Sequence, residues 1–226
     1  IFREASVRRA FNLAIDRDEV ISDGLNGHGI PSSGPIWPNY WAFPSNHSTF
    51  HFDSREAAVT LKPRKIQFVC LVPPEYERVA LVLKRQLESV GVEMNLRETS
   101  LESLDEAFLK RDFDAVLTDL ISGPSLFRVY AAWHSQGSLR ANAGNDRLDG
   151  ALDRIRFSTN DDEYQSAVRG FQEAFVQDPP AVFLAWSQRA RAVNRRFDVV
   201  TEPGRDILTT LRLWRPTNDL QYVGRN

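Results

Sequence analysis

In the stretch DLISGPSLF (119–127), Asp119 and Ser122 stand with Gly123 and Pro124 between an apolar run and a helical pattern. Polar residues at the carboxyl end of a buried strand face the crevice where open α/β sheets hold ligands. An Asp or Ser at such a turn equally caps the helix that follows. Aromatic residues gather in the irregular segments, with Trp37, Tyr40, Trp41 and Phe43 in a Pro-rich stretch and Phe127, Tyr130 and Trp133 after the third strand. Beside a cleft they would form an apolar or stacking wall for a solute; inside a domain most aromatics pack the core. The candidate ligand-contacting residues are therefore Asp119, Ser122, Phe127, Trp37, Tyr40, Trp41 and Trp133.

Residues fit for catalysis or metal binding are fewer. His47 and His51 are four apart, but Pro44 and the surrounding Ser and Asn argue against the helix that would align them, so solvated histidines and no metal centre are expected. Asp112 and Asp114 flank Phe113, and Glu98, Glu102 and Asp105 lie near one another, at helix and strand starts where acidic residues are ordinary caps. Cys70 sits inside the apolar run IQFVCLV and reads as a buried structural thiol. The patterns GxSxG, HExxH, GxxxxGK[ST] and GxGxxG do not occur in the sequence. The Gly-rich GHGIPSSG follows a helix and not a strand, which weakens a phosphate-cradle reading. No catalytic residue and no cofactor are expected.

The elements that must position these residues follow from periodicity. Ser6 is a fair N-cap, and Val7, Ala10, Phe11, Ala14 and Ile15 recur at helical spacing. Asp16 caps a second short helix that stops at Gly24, after which prolines 31, 35, 38 and 44 bar regular structure. A helix restarts at Asp53 or Ser54 and runs through Leu61. The centre reads as strand (65–72), helix (75–90) ended by Gly91, strand (92–98), helix (101–110) and strand (113–119). Short β-α-β-α-β connections with right-handed crossovers predict an α/β fold, a mixed, largely parallel sheet flanked by helices. A helix over 126–134 and a helical pair, 147–157 and 161–176, come next. The second of the pair is capped by Thr159 or Asn160 with Glu163 three on, and Tyr164, Val168, Phe171 and Phe175 form its buried stripe. AVFLAW and ARAVNRR then read as a hairpin and ILTTLRLW as a final strand.

With 226 residues, 42% hydrophobic and 26% charged, the chain is long enough for a sizeable core and is globular in composition. A net charge of −2 from interspersed charges gives no footprint for nucleic acid or an anionic membrane, and no apolar stretch is long enough to span a bilayer. The chain starts at Ile1 without Met or a leader, which reads as a leader removed or a piece of something longer.

VRRAFNLAIDRDEVI followed by a G-x-G-x-P-x-x-G-P-I-x-P loop resembles the segment "VRqAl..AIdR..i" then "G.a.pa.gpipp" of the extracellular solute-binding proteins of family 5, the oligopeptide, dipeptide and nickel receptors of ABC importers. The likeness continues through SVGVEMNLRE, KRDFDAVLTD and the block LDGALDRIRFSTNDDEYQSAVRGFQEAFVQDPPAVFLAW. It implies a periplasmic-binding-protein-like lobe (type II, cluster C): residues 1–226 as one ligand-closing lobe of a two-lobed receptor, with 206–216 a return strand toward an N-terminal lobe. It further implies capture of a small solute by hinge closure, permease subunits as partners and a periplasmic or extracytoplasmic location, with lipid anchoring through a preceding N-terminus as one form. A sensor domain of a transcription regulator is the alternative on the same fold. Two departures bear on the solute. Peptide-binding relatives place an Asp four residues before the proline of a "D...DP..F" loop; here that proline matches Pro124 and the anchor position holds Leu120, with Asp119 one residue off. Dipeptide receptors also use an Arg at the end of the strand before the long helix, where this chain has Cys70, Leu71 and Val72. Longer peptides held through their backbone, sugars or an apolar ligand are therefore expected over a zwitterionic dipeptide.

Overall fold

A computed structural model describes residues 1–46, 49–110, 113–121, 125–138, 145–188, 192–202 and 207–217. The chain divides into two compact units, residues 1–187 and 188–226.

The first unit begins with α1 (Ala5–Ala14), whose Val7, Ala10, Phe11 and Ala14 form the buried stripe. Ser6 lies inside this helix and not at its cap, which falls on Glu4 without a side-chain bond. Asp16 does cap α2 (Arg17–Glu19), accepting from the amides of Asp18 and Glu19. That helix runs on as a π turn over Val20–Gly24. The Pro-rich stretch contains one regular piece that its prolines did not lead us to expect, β1 (Gly29–Pro31). Asp53 caps α3 (Ser54–Leu61) as expected, accepting from Glu56 N.

The sheet is built from β2 (Gln67–Val72), β3 (Glu93–Glu98) and β4 (Ala115–Val116) in the order β3-β2-β4, all parallel. Between them run α4 (Glu77–Ser89) and α5 (Leu101–Lys110). Gly91, at φ 79°, turns the chain from α4 into β3 in the left-handed region that a glycine enters without penalty. The third strand is shorter than the 113–119 predicted. Asp114 Oδ2 accepts from Val69 N at 2.9 Å, so a carboxylate occupies the first ladder position in place of a main-chain carbonyl. Right-handed crossovers put α4 and α5 on opposite faces. Strand alternation agrees: Phe68, Cys70 and Val72 join the core formed with α1, α3 and α4, while buried Leu71 faces the α5 side.

A second core is helical. It joins α6 (Phe127–Trp133), α7 (Asp146–Phe157) and α8 (Asp161–Gln177) around Phe171 and Phe175, with Ile36 and Ala42 of the Pro-rich stretch laid against it. Asn145 and Asn160 cap α7 and α8. Beyond α8, β5 (Ala185–Ser187) pairs antiparallel with β1, setting Trp186 opposite Ile30. The local hairpin expected of AVFLAW is therefore corrected: its strand has a long-range partner. Residues 190 and 191 of the other arm, ARAVNRR, lie outside the described residues.

Side chains of the charged N-terminal helices pin these pieces together. Arg8 donates to Pro179 O at 2.8 Å and pairs with Asp178. Asn12 donates to Ala181 O at 3.2 Å. Arg17, 7% exposed, donates to Ser32 O (2.9 Å), Phe183 O (2.8 Å), Asn12 O (3.1 Å), Ile15 O (3.3 Å) and Asn12 Oδ1 (2.9 Å). Two of these acceptors lie at the C-terminal end of α1, where a cation also meets the negative pole of the helix. Burial pushes the Arg17 guanidinium down to about 10, so it stays charged at neutral pH.

In the second unit β6 (Phe197–Asp198) pairs with β7 (Arg215–Pro216). The strand predicted over ILTTLRLW is instead a 3₁₀ helix, Ile207–Leu213. Buried Thr210 holds it, donating to Ile207 O at 2.8 Å and accepting from Trp214 Nε1 at 3.2 Å.

Candidate functional site

The three parallel strands end at Val72, Glu98 and Val116, and main-chain pairing carries one step further through Thr99 N to Val72 O (3.1 Å) and Leu117 N to Leu71 O (2.9 Å). The order β3-β2-β4 is the 2-1-3 start of a doubly wound sheet, whose ligand crevice opens outside the carboxyl ends of its first and third strands. Here those strands are β2 and β4, so the crevice is flanked by Pro73 and Pro74 on one side and by residues 117–121 on the other.

Asp119 is exposed on this edge. Beside it in sequence Leu120 and Ile121 are 38% and 66% exposed, and Phe127, at the start of α6, is 74% exposed. Ser122 lies outside the described residues, as do Gly123 and Pro124. Across β2, the β3–α5 turn forms a polar recess of ≈ 300 Å³ lined by Leu71, Arg97, Ser100, Ser103, Glu106 and Lys110 among others. Ser100 Oγ accepts from Ser103 N at 3.2 Å, capping α5, and Lys110 pairs with Glu106 at 2.6 Å. These two features give the edge an apolar part and a hydrogen-bonding part, the two kinds of surface that small-molecule sites combine. The polar recess follows from the ETSLES turn, but its individual side chains carry no pattern that marks them in the sequence.

The aromatic candidates separate. Trp41, 54% exposed, stacks on Tyr164 of α8 with centroids 5.3 Å apart and planes 14° apart. Tyr40 shares a hydroxyl contact with Tyr164 at 2.9 Å. Burial, reinforced by Tyr40, raises the Tyr164 hydroxyl above its ordinary range. Trp37 meets Trp186 of β5 edge to face at 5.2 Å. Trp133 is 6% exposed, packed against Phe175 and Phe183 in the helical core. Its spacing from Val129, one helical turn earlier and fully buried, is the signal that places it inside. Tyr164, which periodicity assigns to the buried stripe of α8, is instead the half-buried base of the Trp41 stack.

His51, Asp53 and Glu56 bring ligand atoms within 4.8 Å of one another at the start of α3. Sequence spacing matches His51 with His47 instead, and His47 lies outside the described residues. Asp53 is engaged as the helix cap, and His51 and Glu56 are exposed. The groups whose ionisation the fold displaces have structural causes. Burial raises the Cys70 thiol to about 12, in keeping with an inert core residue. Ser22 and then Arg85 hold Asp23 low, and the Thr159 amide and hydroxyl do the same for Glu163.

A parallel α/β unit of this order, with a helical subdomain beside it, has the fold of periplasmic binding proteins. The profile of the bacterial extracellular solute-binding proteins, family 5, matches residues 1–138, and the chain belongs to that family. This is a family of binding proteins and not of enzymes. The chain is 20% identical over 244 aligned positions to the oligopeptide-binding protein AppA of Bacillus subtilis, covering 95% of this chain and 44% of that protein. It is 26% identical to protein XP55 of Streptomyces lividans, over 88% of this chain and 40% of that one. The chain thus spans less than half the length of these relatives. Among solved structures, AppA of B. subtilis with a bound nonapeptide superposes with a TM-score of 0.78 at 19% identity, over 96% of this chain and 48% of that one. NikZ of Campylobacter jejuni with Ni(L-His) gives 0.71 at 20% identity, over 82% and 42%. Among the described residues no helix is long and apolar enough to cross a membrane.

Proposed function

We propose that this chain is the ligand-closing lobe of the substrate-binding component of an ABC importer, capturing a peptide-like or other small solute by hinge closure against a second lobe. The lobe runs over residues 1–226, with 206–216 leading back toward the second lobe. Capture takes place outside the cytoplasm, on a protein that is free or lipid-anchored ahead of Ile1, and the loaded receptor delivers its solute to permease subunits.

The observation that carries this reading is the edge beyond β4. Leu120, Ile121 and Phe127 expose 38%, 66% and 74% of their surface in the segments that follow that strand, with Asp119 beside the first two. Large apolar side chains held in water next to a crevice support a surface that a ligand or a facing lobe covers. Neither the β2 end nor the Leu120 position offers a charged anchor for a free terminus, which favours longer peptides held along their backbone. The nonapeptide bound by AppA, which shares this fold, is in keeping with that class.

The test is thermal melting of the complete gene product titrated with peptides of graded length, with sugars and metal chelates alongside. A bound peptide at a hundredfold excess over its Kd stabilises by about 2.7 kcal/mol, and Phe127→Ala weakens it by roughly tenfold, the loss of a buried ring contact. A response to sugars or chelates with none to any peptide overturns the peptide reading. A strong response to a dipeptide overturns the argument from the missing anchors.

A further inference from the structure

Asn26–Gly27 is the single Asn-Gly pair in the sequence, and it forms the tip between the π turn and β1. Both residues are exposed, and both have left-handed backbones, Asn26 at φ 53° and Gly27 at φ 79°. The space where a Gly27 side chain would stand is empty to 4 Å, so nothing crowds an approach to this peptide bond. Two contacts restrain it: Gly27 N donates to Ile21 O at 2.8 Å, closing the end of the π turn, and His28 N donates to Leu25 O at 2.9 Å, closing the turn around the pair.

We propose that Asn26–Gly27 is a self-modification site, at which the chain converts its own asparagine to aspartate and isoaspartate. The Gly27 nitrogen attacks Asn26 Cγ; the new N–Cγ bond closes a five-membered imide, the Cγ–Nδ2 bond breaks, and Nδ2 leaves as ammonia with the proton given up by Gly27 N. Water then opens the ring. Cleavage at Cγ leaves an ordinary aspartate at this position, and cleavage at the main-chain carbonyl yields the isomer whose backbone runs through the side chain. No redox partner is involved. The Gly27 to Ile21 and His28 to Leu25 bonds must open first, so the folded chain reacts roughly tenfold to a hundredfold more slowly than the unfolded one. The isomer inserts one extra backbone atom three residues before β1 and places an anion at the carbonyl end of a helical turn, where it is disfavoured. The strand that follows is the one that pairs with β5, whose Trp186 meets Trp37.

Peptide mapping after incubation in heavy-oxygen water at mildly alkaline pH tests this, with the folded protein and the denatured chain run in parallel. Label at residue 26 in the folded protein, at a rate within about a hundredfold of the denatured chain, is the expected result. A folded protein that stays unlabelled at residue 26 while the denatured chain converts overturns the proposal. Two variants locate the chemistry. Asn26→Gly keeps a residue suited to positive φ and must lose the label, and Gly27→Ala must slow it by about tenfold, as added bulk on the attacking residue raises the barrier. Unchanged labelling in Gly27→Ala refutes attack by this nitrogen.

Discussion

Replacing Arg17 with Met would keep the aliphatic stem and remove the guanidinium that serves five acceptors in the interior. Ser32 O and Phe183 O belong to segments without helical partners, and both lose their closest donor, at 2.9 and 2.8 Å. An unsatisfied buried acceptor costs about 1–3 kcal/mol, so these two alone amount to about 2–6 kcal/mol. Against this stands the return of the desolvation cost that lowers Arg17 to about 10. The expected net loss is about 3 kcal/mol, near the lower end for breaking a buried charged contact. For a chain of this size that is a fall of about 6–12 °C in Tm. Arg17→Lys supplies at most three donors from a point charge and should recover about half the loss. Urea unfolding of wild type and both variants, followed by tryptophan fluorescence, reads the difference in midpoint at constant slope. A loss in Arg17→Met below about 1 kcal/mol would refute the claim that this side chain joins the segments.

Phe171→Ala, at a fully buried ring in the helical core, should cost about 3–5 kcal/mol by the same unfolding assay. Gly91→Ala forces a side chain into φ 79° and within 2.8 Å of Lys62 Cγ, and a loss of about 1–2 kcal/mol is expected from chemical denaturation. The Cys70 thiol, raised to about 12 by burial, keeps its proton in the folded state while the unfolded thiol loses it above about 9. The folded state then binds more protons, so wild-type stability relative to Cys70→Val falls as pH rises from about 9 to 12, by up to about 1.4 kcal/mol per pH unit. Urea midpoints of the two proteins across that range check the slope. Trp41→Ala should lower stability by no more than about 1 kcal/mol, the scale of one exposed aromatic pair, in the same urea unfolding assay.

The central β-α-β-α-β run was legible because its signals are local: an apolar run at 67–72, a one-sided helix over 77–89 and strict alternation in 93–98. So were the caps at Asp16, Asp53 and Asn160, where a side-chain oxygen needs only its own next turn. What the sequence hid is partnership over distance. AVFLAW contains a strand, but nothing in those letters says that it pairs with Gly29–Pro31. ILTTLRLW mixes apolar and polar residues without a clean period, and its 3₁₀ form depends on Thr210, a polar residue that burial turns into a bracket. The strand-end loops were located from topology alone. Their contents were less legible: Trp133 stands one helical turn after Val129 and could be placed in the core on that spacing, while Trp41, in the Pro-rich stretch, has no period to say that it stays exposed.

The bonds made by Arg8, Asn12 and Arg17 join residues 171, 169 and 166 positions apart. On a ribosome adding roughly 5–20 residues per second, the acceptors arrive about 10–35 s after the donors. Until then these side chains have only their local acceptors, among them Phe2 O for Arg8 and Asn12 O and Ile15 O for Arg17, and contacts of such long sequence separation form late. The opening segment therefore cannot complete its native contacts until residues 179–183 have been made, which leaves the nascent chain open at this end through most of its synthesis.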